Sequence, residues 1–122
     1  MKKVSILLIL ITLISCCLCF TSCGASTEEK HYEECIEKLR DSLIDPTSLL
    51  IAEAESYTDK DTGDIYYRIK YNAKNRLGAY VGNETVYFKY DAEDKNISRD
   101  SIYSTSFSLT KALDGKHKVY VK

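Results

Sequence analysis

The chain predicts an α+β fold: an N-terminal amphipathic helix packed on an antiparallel sheet of about four strands. Three observations carry this reading. Tyr32, Ile36, Leu39 and Leu43 recur at spacings of 4, 3 and 4, and Cys35 shares their stripe. That is the period of a helix with one face to bury. From Ile65 to Ala73 the residues alternate, with Ile65, Tyr67, Ile69, Tyr71 and Ala73 on one side and Tyr66, Arg68, Lys70 and Asn72 on the other. That is the period of a strand with one buried and one wet face. Polar clusters at Asp59–Asp64 and Asp91–Asn96 then read as turns between successive strands.

In chain order, the helix spans about Thr27 to Ile44. Ser26-Thr27-Glu28-Glu29 starts it with a hydroxyl cap and acids in the first turn. Asp45-Pro46 stops it, because proline disfavours helical geometry in the residue before it. Pro46 opens a short turn through Leu49, with Asp45 as its cap. Leu50 to Thr58 alternates small or apolar residues with acids and reads as the first strand. Ile65 to Ala73 is the second. Asn75 to Tyr80 is a bend longer than a tight hairpin turn. Val81 to Tyr90 is the third strand. Ile97 to Ser106 is hydroxyl-rich and reads as a strand or an extended loop. Phe107 to Leu113 reads as a short helix ended by Gly115, and Lys118 to Lys122 as a final strand.

Ahead of this domain lies a different kind of sequence. Lys2 and Lys3 precede an apolar run from Val4 to Phe20, followed by Thr21-Ser22-Cys23-Gly24-Ala25-Ser26. A basic start, an apolar core and small residues are the parts of a secretory signal. The stretch Phe20-Thr21-Ser22-Cys23 resembles the lipobox of bacterial prolipoproteins, with Phe20 where that family usually has leucine. The resemblance implies that Cys23 receives a diacylglyceryl group and becomes the first residue of the mature protein. Residues 1–22 are then the signal, 23–27 the lipidated cysteine and tether, and 28–122 one α+β domain. Leu13-Ile14-Ser15-Cys16 fits the same pattern, but cleavage there would leave the apolar Cys17-Leu18-Cys19-Phe20 at the new start. An uncleaved anchor is the alternative, although a span needs ~20 apolar residues. Two acyl chains hold a protein stably where one does not. The expected location is therefore the cell membrane, lipid-anchored and facing outside the cytoplasm.

The helix, corner and central strands are similar to small exported domains of Gram-positive bacteria. Those domains carry a Leu-x-Asp-Pro-x-Ser corner and a Tyr-x-Ala-x-Asn-x-x-Gly-x-Tyr segment. Here these are Leu43-Ile44-Asp45-Pro46-Thr47-Ser48 and Tyr71-Asn72-Ala73-Lys74-Asn75-Arg76-Leu77-Gly78-Ala79-Tyr80. The resemblance implies fold and location, and no activity.

Without Lys2 and Lys3, the 17 basic residues become 15 against 18 acidic ones, a net charge of −3. That is no footprint for nucleic acid. With the signal removed and Cys23 lipidated, Cys35 is the only thiol left, so no intramolecular disulfide is expected. Cys35 reads as a small buried hydrophobe on the helix. His31 lies four residues before it, but two ligands do not make a metal site, and His31 reads as solvent-exposed. Asp59-x-Asp61-x-Gly63 resembles the start of a calcium loop, yet Lys70 stands where its glutamate should be, so the stretch reads as a polar turn. No cofactor is expected.

All ten tyrosines fall beyond Cys23. Tyr66, Tyr87 and Arg68 on the wet face, with Tyr80 and Asn75 at the bend, are the candidate contacts for an envelope protein or a cell-wall glycan. Tyrosine offers large contact area at low entropic cost. The competing reading is that a C-terminal segment partly covers this face and that strands favour tyrosine in any case. The expected function is a non-catalytic, lipid-anchored binding module. The alternatives are a small envelope hydrolase using Cys35 or a carboxylate pair, and a structural subunit of a membrane-associated assembly.

Overall fold

The computed structural model describes residues 26–121. The lipidation and signal assignments, including Cys23, lie outside them. Helix α1 spans Thr27–Asp41 and is the first element of the described residues. Ser26 caps it, and a reciprocal pair of bonds between Ser26 and Glu29 closes a capping box. A short 3-10 turn, Pro46–Ser48, follows. Strands β1 (Leu50–Thr58), β2 (Ile65–Asn72), β3 (Glu84–Asp91) and β4 (Asn96–Arg99) precede helix α2 (Tyr103–Ala112) and strand β5 (Lys116–Val121).

The strands form one antiparallel sheet in the order β4-β3-β2-β1-β5. It has five strands where the sequence suggests about four. The fifth is at one edge: Asn96–Arg99, in the stretch that reads as a strand or an extended loop, pairs with β3, while the expected final strand, β5, starts at Lys116, two residues earlier than its apolar pattern indicates.

One face of the sheet carries the main core. Cys35 and Leu39 of α1 are fully buried against Tyr67 and Ile69 of β2, Phe88 and Val86 of β3, and Ala54 of β1. The larger apolar side chains among them, Leu39, Ile69, Val86 and Phe88, each contribute roughly 1.5–3 kcal/mol on leaving water. The stripe predicted on α1 is therefore the one that packs. Tyr67 has no accessible surface, and its hydroxyl donates to the Glu28 carbonyl at 3.0 Å. Tyr120 stacks on Tyr32, and its hydroxyl meets Ser56 at 3.1 Å.

The second face is not the open wet surface that alternation alone suggests. Strand β4 lies at one edge and β5 at the other, so the connection between them has to cross the sheet. Helix α2 makes that crossing over the second face. Phe107 is 4% exposed and lies edge-on to Tyr57 at 5.1 Å and to Tyr87 at 5.9 Å. Helix α2 also begins at Tyr103, four residues before the predicted start. Its hydroxyl-rich sequence has weak helix propensity, and no side chain of Ile102 caps it. Packing of Phe107 and Thr110, which are both buried, holds it in place.

Gly115 closes the return from α2 to β5. A Cβ on Gly115 would stand 2.8 Å from the Thr110 carbonyl oxygen and 2.9 Å from that of Thr58. Both are backbone atoms, so neither can swing away. Gly115→Ala is therefore expected to lower stability by about 1–3 kcal/mol, as overpacking does. Urea unfolding followed by far-UV circular dichroism measures this, and an unchanged midpoint contradicts it.

Candidate functional site

The best-defined candidate lies at the end of the domain where α1 stops. The Asp45-Pro46-Thr47-Ser48 corner is held by its own polar atoms. Asp45 Oδ1 accepts from the Thr47 amide at 3.1 Å and from the Thr47 hydroxyl at 2.7 Å. These bonds keep the Asp45 carboxyl below its ordinary range, the Thr47 hydroxyl contributing most. Ser48 is buried. Its hydroxyl donates to the Asp45 carbonyl at 2.7 Å and accepts from the Lys74 amide at 2.9 Å. One side chain thus joins the corner to the chain leaving β2.

Beyond Lys74 the bend is organised by Asn75. Its Oδ1 accepts from the amides of Leu77 at 2.9 Å and Ala79 at 3.2 Å. Its amide donates to the Ala79 carbonyl, and its carbonyl accepts from Gly78. Gly78 has φ of +76°, which favours glycine. Lys74 pairs with Tyr80 in an isolated bridge, and its ammonium lies 5.5 Å from the centre of the Tyr80 ring. Corner and bend together enclose a groove of about 290 Å³, lined by Leu43, Ile44, Tyr71, Lys74, Val81 and Glu84 among others. On its wall the Tyr71 hydroxyl donates to Glu84 at 2.9 Å.

This end carries an unusual share of exposed apolar surface. Nine large hydrophobic side chains are exposed among the described residues, and four of them belong to the corner and bend or flank them: Ile44, Leu77, Tyr80 and Val81. Leu77, at the tip, is 90% exposed. Singly scattered apolar residues are ordinary on a surface, whereas a gathering of them marks an interaction site.

The second face offers a different kind of chemistry. A chain of charges runs across three strands: Lys70 to Glu53 at 3.1 Å, Glu53 to Arg68 at 3.6 Å, Arg68 to Glu55 at 2.5 Å, and Glu55 to His117 at 2.8 Å. A shallow groove of about 310 Å³ beside it is lined by Glu53, Glu55, Arg68, Val119 and Val121. With Lys70 the row sets two cations against the two carboxylates, so it serves to stitch β2, β1 and β5 together.

The five predicted contact residues do not form one surface. Asn75 and Tyr80 are at the bend. Tyr66, Arg68 and Tyr87 lie on the second face and are half-buried beside α2. Tyr66 is 6.4 Å from Tyr103, centre to centre, and Arg68 sits 5.8 Å over the Phe107 ring. Ile44, Ser48, Leu77, Val81 and Glu84 belong to the candidate site without having been singled out. Ser48 carries a readable signal, its place in the Asp-Pro-x-Ser corner.

The remaining candidates are accounted for locally. Cys35 has no accessible surface, and burial pushes its thiol well above the ordinary range. It lies on the main-core side, and His117 lies on the opposite face, stacked on Tyr57. The two do not meet. His31 is half-buried rather than exposed, because its ring stacks on Tyr90 at 3.7 Å. In the first hairpin Asp59 Oδ1 accepts from the amides of Asp61 and Thr62, which makes the stretch a self-bonded turn. Among the described residues no three His, Cys, Asp or Glu side chains converge on one point. No described helix is long and apolar enough to cross a membrane. Compared with protein families, curated proteins and solved structures, the chain matches none.

Removing the Ser48 hydroxyl leaves the Lys74 amide unpaired inside the corner. An unpaired buried donor costs about 1–3 kcal/mol. Ser48→Ala is expected to destabilise the domain by that amount in urea unfolding, although it deletes a single atom. A cost near zero would mean that the corner and bend are not joined through Ser48.

Proposed function

We propose that the protein is a lipid-anchored, extracytoplasmic binding module whose contact surface is the corner-and-bend end of the domain. The observation that carries this reading is the concentration of exposed apolar side chains on a bend that its own hydrogen bonds hold in shape. A preshaped surface loses less entropy on binding than a floppy one. The anchoring half of the proposal rests on Lys2, Lys3, the apolar run and Cys23. Helix α1 begins at Thr27, and its capping residue Ser26 lies three positions after Cys23. Fifteen helical residues extend about 22 Å. The apolar bend is near the far end of that helix, next to Ser42 and Leu43. Such a layout turns it away from the anchored end and toward whatever lies outside the membrane. A hydrolase built on Cys35 gains nothing from a thiol that substrate cannot reach.

Both halves can be tested separately. Cells fed labelled fatty acid are expected to label the full chain, and Cys23→Ser is expected to abolish the label. Loss with Cys16→Ser instead would move the processing site. For the surface, soluble Gly24–Lys122 serves as bait for solubilised envelope proteins and cell-wall glycan. Saturable binding is expected that falls at least tenfold in Leu77→Ser and Tyr80→Ala with circular dichroism unchanged. Binding that survives both substitutions rules out the bend.

A further inference from the structure

Helix α2 is held on the second face by a small cluster of its own. Among the described residues, no member of the main core comes from α2. Its one large buried side chain is Phe107, whose ring meets Tyr57, Tyr87 and the Arg68 guanidinium instead of that core. Leu109, and Ile102 and Leu113 at the two ends, are exposed and add nothing to docking. The helix has 10 residues. An isolated helix shorter than ~12–15 residues is marginal in water. Its polar ties at the start are two: Asp100 accepts from the Ile102 amide at 3.0 Å, and the Tyr103 hydroxyl meets that of Ser98 at 2.8 Å. The sheet stays assembled without it. The charge row joins β2, β1 and β5 with no member from α2, and Tyr120 of β5 stacks on Tyr32 of α1. Strands β4 and β5 are four strand spacings apart, ~19 Å. Residues 100–115 connect them and reach ~50 Å when extended, so α2 can lift without pulling either strand away.

We propose that α2 is a releasable strap over a second binding face, and that Phe107 holds the place of an aromatic ring supplied by a ligand. The slot itself states the chemistry. Tyr57 and Tyr87 stand edge-on to the Phe107 ring, and Arg68 lies 5.8 Å over it. Edge-to-face contacts and a cation over the ring are both gained by an aromatic group and by no saturated one of the same size. Lifting α2 uncovers Tyr57 and Tyr87 together with Tyr66, which now lies beside Tyr103. The strap acts as a tethered competitor, present at a high effective concentration. A ligand ring therefore draws on an open state that already exists in the ensemble, and binding enlarges that state. The inference goes beyond the bend surface and depends neither on it nor on the lipid anchor.

The described core closes within residues 26–121, with every strand paired and α1 docked, so the soluble chain Gly24–Lys122 is a suitable sample once its circular dichroism shows the expected strands and helices. Native-state hydrogen exchange reads the strap with no substitution at all. The amides from Phe107 to Ala112 are expected to be protected about a hundredfold less than those of Tyr67 and Ile69, with a shallower dependence on urea, as for a part that opens by itself. Equal protection and equal urea dependence would make α2 one unit with the core and overturn the inference. The slot is read in Phe107→Ala with phenol as the probe, followed through the ring signals of Tyr57 and Tyr87. Saturable binding is expected, about threefold or more tighter than that of cyclohexanol, the saturated ring of matching size. Absence of binding, or equal binding of the two, overturns the aromatic assignment. If Phe107→Ala does not fold, Phe107→Leu keeps an apolar side chain without the ring. It is expected to lower α2 protection about tenfold and to leave Tyr67 and Ile69 unchanged. A loss shared equally by α2 and the core would overturn the strap.

Discussion

The fold depends on one buried phenol. Tyr67 sits in the central strand with no exposed surface, and its hydroxyl ends on the Glu28 carbonyl in the first turn of α1. Burying a hydroxyl without a partner costs several times what the finished bond contributes. The start of α1 is therefore held at one point over the sheet. Tyr120 reaches the same carbonyl at 3.4 Å from the edge strand. The direction of the helix follows from its stripe. With its start held and Cys35 and Leu39 facing down, α1 lies along the sheet, and the residues just after it, Ser42 to Ile44, line one groove with Tyr71, Lys74 and Glu84. The corner is delivered there, and Ser48 can take the Lys74 amide. The apolar groove thus results from the way the helix is docked.

Much of this was legible in the sequence, and the parts that were not have physical reasons. The α1 stripe and the alternation in β2 are long and regular, and both faces pack as their periods require. Burial of Cys35 followed from its place on that stripe. The second face was harder to read. Tyr66, Arg68 and Tyr87 alternate correctly, but alternation says nothing about what covers a strand. That depends on α2: its second half, from Phe107, reads as a helix, and partial cover by a C-terminal segment was a legible alternative, but Ser104, Thr105 and Ser106 carry no helical signal. The crossing from β4 to β5 is a property of strand order, and strand order is not written in any local stretch. His31 shows the same limit. Its position four residues before Cys35 put it near the packed stripe, but the stack on Tyr90 required knowing which strand lies beneath.

The candidate site was legible in pieces. Asn75 and Tyr80 were singled out, and the two segments resembling small exported domains proved to be the two walls of one groove. Their junction, Ser48 to Lys74, spans 26 residues of chain. The apolar residues between and beside them, Ile44, Leu77 and Val81, look like ordinary loop residues until the fold gathers them. The second face, by contrast, spends its charges on itself. Glu55 lies between Arg68 and His117 and is only 15% exposed, so that row ties edge strand to centre. Two groove-bearing regions of one small sheet therefore differ in kind. One is electrostatically closed, and the other is open and apolar.

The central claim is that the bend is a preshaped surface rather than a loose loop, because Asn75 satisfies its amides and Ser48 ties it to the corner. Backbone amide relaxation by nitrogen-15 NMR tests this directly. The account predicts order parameters for Lys74, Leu77 and Ala79 close to those of β2, at about 0.85. Values below about 0.6 for these amides, beside a rigid β2, would contradict it.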